Sequence, residues 1–99
     1  MFKWNAEKNK ILIKKRNITF DEVIQSIADG YGVSDVPHWN KEKYPNQRII
    51  TVMIKNYAYL VPYVKEGEDI FLKTIIPGRK ETKRVKGSKE KTAISKYFK

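Results

Sequence analysis

Four charged side chains in this sequence have the chemistry needed for acid–base catalysis on a phosphate ester. His38 is the only histidine, and imidazole is the side chain best suited to exchange protons near neutral pH. Arg48 and Arg79 carry guanidinium groups, which stay charged and can bond two phosphate oxygens at once. Glu81 lies two residues after Arg79, where a carboxylate beside cations can serve as a base. These are the candidate catalytic residues for cleaving a phosphodiester without a metal ion.

Each of these residues also has an ordinary structural role open to it. Either arginine can form a surface ion pair or stay solvated, and Glu81 can pair with basic neighbours on a helix. His38 stands between Pro37 and Trp39 in a predicted loop, where a single histidine is often incidental. Asp35 and His38 supply only two metal ligands and the chain has no cysteine, so neither a metal nor a cofactor is expected.

Aromatic and basic side chains near these positions are suited to binding RNA. Unpaired bases stack on aromatic rings while cations bind the phosphates. Tyr59 and Tyr63 are candidate stacking residues on one strand, with half burial in a sheet as the alternative. Trp39 and Tyr44, in the predicted loop, either hold a base or cover the core. The candidate phosphate-binding residues are Lys80, Lys83 and Arg84.

Most of the excess positive charge lies in the last fifth of the chain. The 99 residues include 21 lysines and arginines against 11 aspartates and glutamates, a net charge of +10. Residues 79–99 hold nine basic and two acidic side chains, so they account for +7 of that total. Such a cluster attracts polyanions because binding releases their counterions. The charge alone leaves three explanations open: nucleic acid binding, an acidic protein partner, or a tail that only maintains solubility.

Composition argues against several classes of protein. No apolar run approaches the roughly 20 residues that a membrane-spanning helix needs, so no membrane association is expected. The start, Met1–Asn5, continues into charged residues, so no secretory signal is expected. The absence of cysteine excludes disulfides and thiol nucleophiles and fits a reducing, cytoplasmic setting. A chain of 99 residues is expected to form a single domain over residues 1–99.

Two helices are predicted in the first third of the chain. Asn5 is a suitable N-cap for a helix over Ala6–Arg16, which has few apolar residues and a basic face. Thr19 begins a capping box, and apolar residues then recur at helical spacing over Phe20–Ala28, which predicts core packing. Gly30 is expected to end this second helix.

The rest of the chain is dominated by strand signals. Phe2–Trp4 is either a short strand or an apolar anchor, and Tyr31–Val36 alternates weakly. The stronger signals cover Arg48–Lys55, Tyr57–Lys65 and Asp69–Pro77, joined by short turns that predict an antiparallel meander. Pro62 cannot donate to a ladder and predicts an edge, a bulge or a strand end. The predicted fold is α+β: two N-terminal helices packed on a three- to four-stranded antiparallel sheet, followed by a short basic C-terminal helix. Residues 88–99 are predicted to be a basic tail, either flexible or helical.

Separate segments of the chain resemble the BrnT family of toxins in order and spacing. Phe2–Asn9 (FKWNAEKN) and Ile18–Val23 (ITFDEV) are similar to that family's aromatic-x-Trp-Asp/Asn-x-x-Lys-Asn and Val-Ser/Thr-Phe-Glu-Glu-Ala. Asp35 and His38 fall where the family often has an Asp-x-x-His pair, and Arg48 falls where an arginine opens a strand. The segment Thr74–Arg84 (TIIPGRKETKR) resembles Ile-Ile-Ser-Ala-Arg-Arg-Ala-Thr-x-x-Glu. The resemblance covers about residues 2–86.

The resemblance implies a ribonuclease toxin of a type II toxin–antitoxin pair, with a fold related to the RelE/ParE group. It also implies a cognate DNA-binding antitoxin in a heterotetramer or larger complex, contact with operator DNA through that antitoxin, and a bacterial cytoplasmic location. Arg48 and Arg79 match arginines of the family, whereas Pro77-Gly78 replaces Ser-Ala and Glu81 replaces a small residue. We therefore expect a metal-independent endoribonuclease that cleaves RNA and inhibits translation and growth. A non-catalytic RNA- or DNA-binding module and an inactive toxin relative remain as alternatives.

Overall fold

Two helices cover one face of a six-stranded sheet. This computed structural model describes residues 1–87, with side chains described through Lys83. The elements in chain order are β1 (Phe2–Trp4), α1 (Ala6–Arg16), α2 (Phe20–Ala28), β2 (Gly32–Pro37), β3 (Gln47–Ile54), β4 (Tyr57–Glu66), β5 (Asp69–Leu72), β6 (Ile76–Pro77) and α3 (Arg79–Gly87). The α+β class and the short basic helix after the sheet are confirmed. The predicted basic tail, residues 88–99, lies outside the described residues.

The first two helices begin at the predicted caps. The Asn5 side chain accepts a hydrogen bond from Lys8 N at 3.0 Å, and the Thr19 hydroxyl accepts one from Glu22 N at 3.1 Å. Asn9 joins the two helices, because its Oδ1 atom accepts a hydrogen bond from the backbone N–H of Phe20, the first residue of α2. Within residues 1–87, no helix is long and apolar enough to cross a membrane.

The hydrophobic core lies between α1, α2 and the sheet. Alternate residues of β3 and β4 face it, and its fully buried members include Phe20, Val23, Val52 and Val61. We call this side of the sheet the helix-covered face. The side chains in between, among them Leu60 and Pro62, lie on what we call the opposite face. Each residue of β3 and β4 belongs to one face or the other by this alternation.

The predicted antiparallel meander of β3, β4 and β5 is confirmed, but the prediction of three to four strands, all antiparallel, is wrong. The sheet has six strands in the order β1-β5-β4-β3-β2, with β6 also paired to β4, and β1 runs parallel to β5. Phe2–Trp4 forms this parallel strand because its two aromatic side chains pack on the core, where the rings of Trp4 and Phe20 lie 6.0 Å apart. Lys3, between them, pairs with Asp69 of β5 at 3.0 Å. A three-residue strand carries too little local pattern to reveal its neighbour.

The predicted strand Asp69–Pro77 is in fact two strands, and Pro62 explains the break. The backbone groups of the even-numbered residues of β4 point toward β5 and β6. Ala58 O accepts a hydrogen bond from Gly78 N, and Pro62 O accepts one from Lys73 N. Pro62 has no N–H to give in return, so the ladder is interrupted there and β5 ends. The released segment turns Ile75 into the core, where it is fully buried. Of the edge, bulge or strand end predicted at Pro62, the structure shows a strand end, but it is the neighbouring β5 that ends there, while β4 continues to Glu66.

A buried hydroxyl group attaches α3 to the edge of β4. Thr82 is 6% exposed; its Oγ1 atom accepts a hydrogen bond from Ala58 N at 2.8 Å and donates one to Gly78 O at 2.7 Å. The Ala58 amide lies beside the point where β6 ends and α3 begins. Its hydrogen bond is accepted there by the Thr82 hydroxyl instead of a strand carbonyl. The position of α3 on the sheet therefore depends on this side chain.

Thr82→Val should lower the free energy of unfolding by about 1–3 kcal/mol, because valine keeps the shape but leaves the buried Ala58 amide without its acceptor. Thr82→Ser retains the hydroxyl and should keep the Ala58 amide protected from hydrogen exchange. Urea unfolding and residue-resolved amide exchange measure the two effects. A stable valine variant with a protected Ala58 amide would contradict this role for the hydroxyl.

Candidate functional site

A surface cavity of about 480 Å³ opens at the end of the sheet where β3 begins and β5 ends, between Pro62 of the opposite face and Lys8 of α1. Three aromatic rings and three lysines form most of its wall: His38, Trp39, Tyr44, Lys8, Lys43 and Lys73. No acidic side chain is among the described residues that line it. The cavity thus combines ring surfaces with positive charge, which are the two features that RNA binding requires.

His38 forms the inner wall of this aromatic–lysine cavity. It is 5% exposed, and its ring centroid lies 4.6 Å from those of both Trp39 and Tyr44. Its Nδ1 atom accepts a hydrogen bond from Asn40 N at 3.0 Å, so the neutral ring carries its proton on Nε2. His38 is therefore set up as a hydrogen-bond donor through Nε2. Acting as a base through Nε2 would require the other tautomer and would break the bond to Asn40.

The first turn of α3 holds exposed cations around a half-buried carboxylate. Arg79, Lys80 and Lys83 are exposed. The Oε1 atom of Glu81 lies 2.7 Å from the point that a Cβ on Gly78 would occupy, so the carboxylate folds back over the start of its own helix. Only glycine at position 78 leaves room for that arrangement. This turn holds one acidic and three basic side chains within five residues.

Glu81 does not line the aromatic–lysine cavity but lies on the same side of β4. A Cβ on Gly78 would lie 3.4 Å from Leu60 Cγ, so the carboxylate folded over Gly78 is near Leu60 on the opposite face. Pro62, two residues further along β4 on that same face, lines the cavity. Two residues of a strand span about 7 Å. The Glu81 carboxylate is therefore separated from the cavity wall by about two residues of β4.

Arg48 belongs to a different cluster, on the helix-covered face. Its Nε atom donates to Asp35 Oδ1 at 3.0 Å, and its Nη2 atom donates to Asp35 O at 3.0 Å. The Tyr63 hydroxyl donates to both carboxylate oxygens of Asp35, at 2.9 and 2.8 Å. The hydrogen bond to Asp35 raises the pKa of Arg48, and the ion pair offsets its charge. Arg48 and Arg79, expected in one site, are not brought together.

The pH dependence of stability should report on Tyr63. Burial raises the pKa of its phenol, and the hydrogen bond to Asp35 raises it further. The folded state thus favours the neutral phenol, so this contribution to stability is fully present below about pH 10 and is lost as the pH rises through the higher folded value. We expect the free energy of unfolding, measured by urea titration, to fall above pH 10. The free energy of unfolding of the Tyr63→Phe variant should fall less steeply with pH. Identical pH dependence in the two proteins would contradict this assignment.

Tyr59 also lies on the helix-covered face, away from the cavity. Its ring packs against the core and lies 5.4 Å from that of Tyr57, and burial raises its pKa. The half-buried sheet position considered for Tyr59 is therefore observed, whereas Tyr63 is buried. The side chain of Arg84 lies outside the described residues. Sequence reasoning missed Lys8 and Lys73, because no local pattern connects the first turn of α1 with the residue after β5.

Comparison of the chain with protein-family models, with curated proteins and with solved structures finds no match. Within the described part of the chain, no group of three or more histidine, cysteine, aspartate or glutamate residues is arranged to hold a metal ion. The geometry of the opposite face is therefore the basis for any functional conclusion.

Proposed function

We propose that this protein is a metal-independent endoribonuclease, the toxin of a type II toxin–antitoxin pair acting in the bacterial cytoplasm. The observation that carries the proposal is the aromatic–lysine cavity, with the Glu81 carboxylate about two strand residues away on the same side of β4. A carboxylate beside a cation-lined, aromatic surface supplies a base next to an RNA-binding site. The resemblance of short motifs within residues 2–86 to those of BrnT-type toxins is the reason for proposing a toxin with an antitoxin partner.

The cleavage chemistry assigns a task to each of these groups. Glu81 takes the proton from the ribose 2′-hydroxyl, whose oxygen attacks the adjacent phosphorus. Arg79, two residues from Glu81, stabilises the negative charge of the pentavalent phosphorane. The lysines of the cavity hold neighbouring RNA phosphates, and His38 offers the RNA a hydrogen bond from Nε2. The bond from phosphorus to the 5′ oxygen breaks, and that oxygen takes a proton from a lysine ammonium. The products are a 2′,3′-cyclic phosphate and a free 5′-hydroxyl.

The charge of the same face fits neutralisation by an acidic antitoxin. Arg79, Lys80 and Lys83 are exposed in the first turn of α3, and the exposed Lys43 and Lys73 line the cavity. A partner segment rich in Asp and Glu that covers these cations would exclude RNA. A DNA-binding antitoxin would connect the toxin to its operator, in a complex of two toxins and two antitoxins or larger.

The proposal is tested with purified protein and a single-stranded RNA in EDTA. We expect the RNA to be shortened, with 2′,3′-cyclic phosphate ends, and expression of the chain alone to arrest bacterial growth. The matched control is the same strand with 2′-deoxyribose throughout, which lacks the attacking hydroxyl and should stay intact. Intact RNA under these conditions would reject the enzyme.

A non-catalytic RNA-binding module is the second candidate. The observation in its favour is that His38 is buried with Nδ1 already hydrogen-bonded, while Arg48 is paired with Asp35. Two of the four predicted catalytic groups are thus held in structural contacts. RNA that is retarded in a gel but never cleaved would identify this alternative.

A further inference from the structure

The loop between β2 and β3 holds its aromatic side chains in fixed positions through hydrogen bonds. His38 N donates to Gln47 O at 3.0 Å, and Gln47 N donates to Tyr44 O at 3.2 Å, so the loop is closed at its base. Asn40 accepts from Tyr44 N through its backbone and from Lys43 N through its side chain. The ring surfaces are therefore preorganised, which reduces the entropy lost when a ligand stacks on them.

Trp39 presents a ring surface to solvent at the edge of this loop. The side chain is 65% exposed, whereas its neighbour His38 is buried beneath it at a ring distance of 4.6 Å. An exposed indole backed by another ring is held in place without covering the core. Every nucleobase can stack on such a surface, because every base has a π-face.

Two lysines of the cavity, Lys43 and Lys73, contact aromatic rings, which leaves their positive charge available to a ligand. Lys43 lies 5.3 Å from the centroid of the Tyr44 ring, and Lys73 lies 4.6 Å from that of Phe71. A ring face orients an ammonium group without neutralising it, unlike a carboxylate. Since no acidic residue lines the cavity among the described residues, these ammonium groups are free to bind a phosphate.

We propose that the aromatic–lysine cavity binds one unpaired nucleotide of single-stranded RNA, with its base stacked on Trp39 and its phosphate held by Lys43 and Lys73. The cavity volume of about 480 Å³ lies in the range typical of small-molecule sites. Gln47 and Thr74, which also line the cavity, supply groups that hydrogen-bond base edges or ribose. The inference rests on the proposed function in taking RNA as the source of the nucleotide.

The test uses a labelled 2′-O-methyl hexanucleotide, which has no free 2′-hydroxyl and cannot be cleaved. Fluorescence anisotropy gives its affinity for the full chain and for variants. Trp39→Ala should weaken binding by about 5- to 100-fold through loss of stacking on one base. Tyr31→Ala is the matched control, since Tyr31 is 53% exposed but does not line the cavity. The same oligonucleotide paired in a duplex should bind more weakly than the single strand, because its bases are no longer free to stack.

The lysines are tested by the salt dependence of the same binding. Lys43→Gln combined with Lys73→Gln should lower the slope of log affinity against log salt by about 0.7, the value for one phosphate contact on a single strand. Lys65→Gln, an exposed lysine of β4 that does not line the cavity, should leave the slope unchanged. Circular dichroism checks that each variant is folded.

Several results would overturn the inference. They are a Trp39→Ala protein that binds as tightly as Tyr31→Ala, an unchanged salt slope in the double variant, or equal affinity for the duplex. Binding of poly-glutamate at the same affinity and with the same dependence on Trp39 would favour an acidic protein partner instead. If the variants weaken binding but RNA is never cleaved, this inference stands and the endoribonuclease proposal fails. If RNA is cleaved and both variants bind normally, only this inference fails.

Discussion

Glu81→Gln should lower the rate of RNA cleavage by about 100- to 10,000-fold, because the amide cannot accept the proton of the 2′-hydroxyl. Glutamine has nearly the same shape as glutamate, so it can occupy the space over Gly78 and the fold should be retained. Affinity for RNA should stay the same or increase, since a negative charge is removed from a cationic face. Single-turnover cleavage rates and oligonucleotide binding separate the two effects.

The control for this variant is Glu66→Gln, which removes one exposed carboxylate at the end of β4. It should cleave RNA at the rate of the unaltered protein. Gly78→Ala offers a second check, because its Cβ would lie 2.7 Å from the present position of Glu81 Oε1 and push the carboxylate away. A Glu81→Gln protein with full activity would remove the glutamate from the mechanism.

Gly78 and Glu81 depend on one another in this structure. A Cβ at position 78 and the present position of the Glu81 carboxylate compete for the same space. Glycine at position 78 therefore permits the carboxylate to fold back over the start of α3.

Local signals in the sequence were sufficient for most elements of the fold. Asn5 and Thr19 mark their helices because a cap acts on backbone groups within one turn. Both turns of the β3–β4–β5 meander were predictable from their short length, and Lys55 and Asn56 adopt the positive φ angles of a tight hairpin turn. The parallel pairing of β1 with β5 was not predictable, because it joins segments almost 70 residues apart.

The candidate site was predicted less well than the fold, because a site depends on which face each strand residue occupies. Arg48 alternates in phase with Ile50 and Val52 of the core, so its position on the helix-covered face follows from the strand pattern. The sequence alone does not say which face holds the site. His38 lines the cavity near Pro62 of β4 and Glu81 lies near Leu60 of the same strand, an arrangement that depends on strand pairing and on no local sequence pattern.

The two arginines should therefore differ in what their loss changes. Arg79→Ala should slow cleavage by about 100- to 1,000-fold through loss of phosphorane stabilisation, with an unchanged urea midpoint because the side chain is exposed. Arg48→Ala should lower the urea midpoint, because Asp35 loses its charged partner, while the cleavage rate per folded molecule stays the same. Arg79→Lys keeps the charge but not the bidentate geometry. Its cleavage rate should lie between those of the alanine variant and the unaltered protein.

These outcomes decide which face of the sheet cleaves RNA. The prediction compares two arginines that carry the same charge and are both exposed at the surface, so a general loss of positive charge would affect them equally. A difference between them must come from their neighbours: Arg79 stands two residues from Glu81, whereas Arg48 is bonded to Asp35 and Tyr63 contacts the same carboxylate. If Arg48→Ala abolishes cleavage in a folded protein and Arg79→Ala does not, the reaction takes place on the helix-covered face, with the Asp35–Arg48–Tyr63 cluster as its centre.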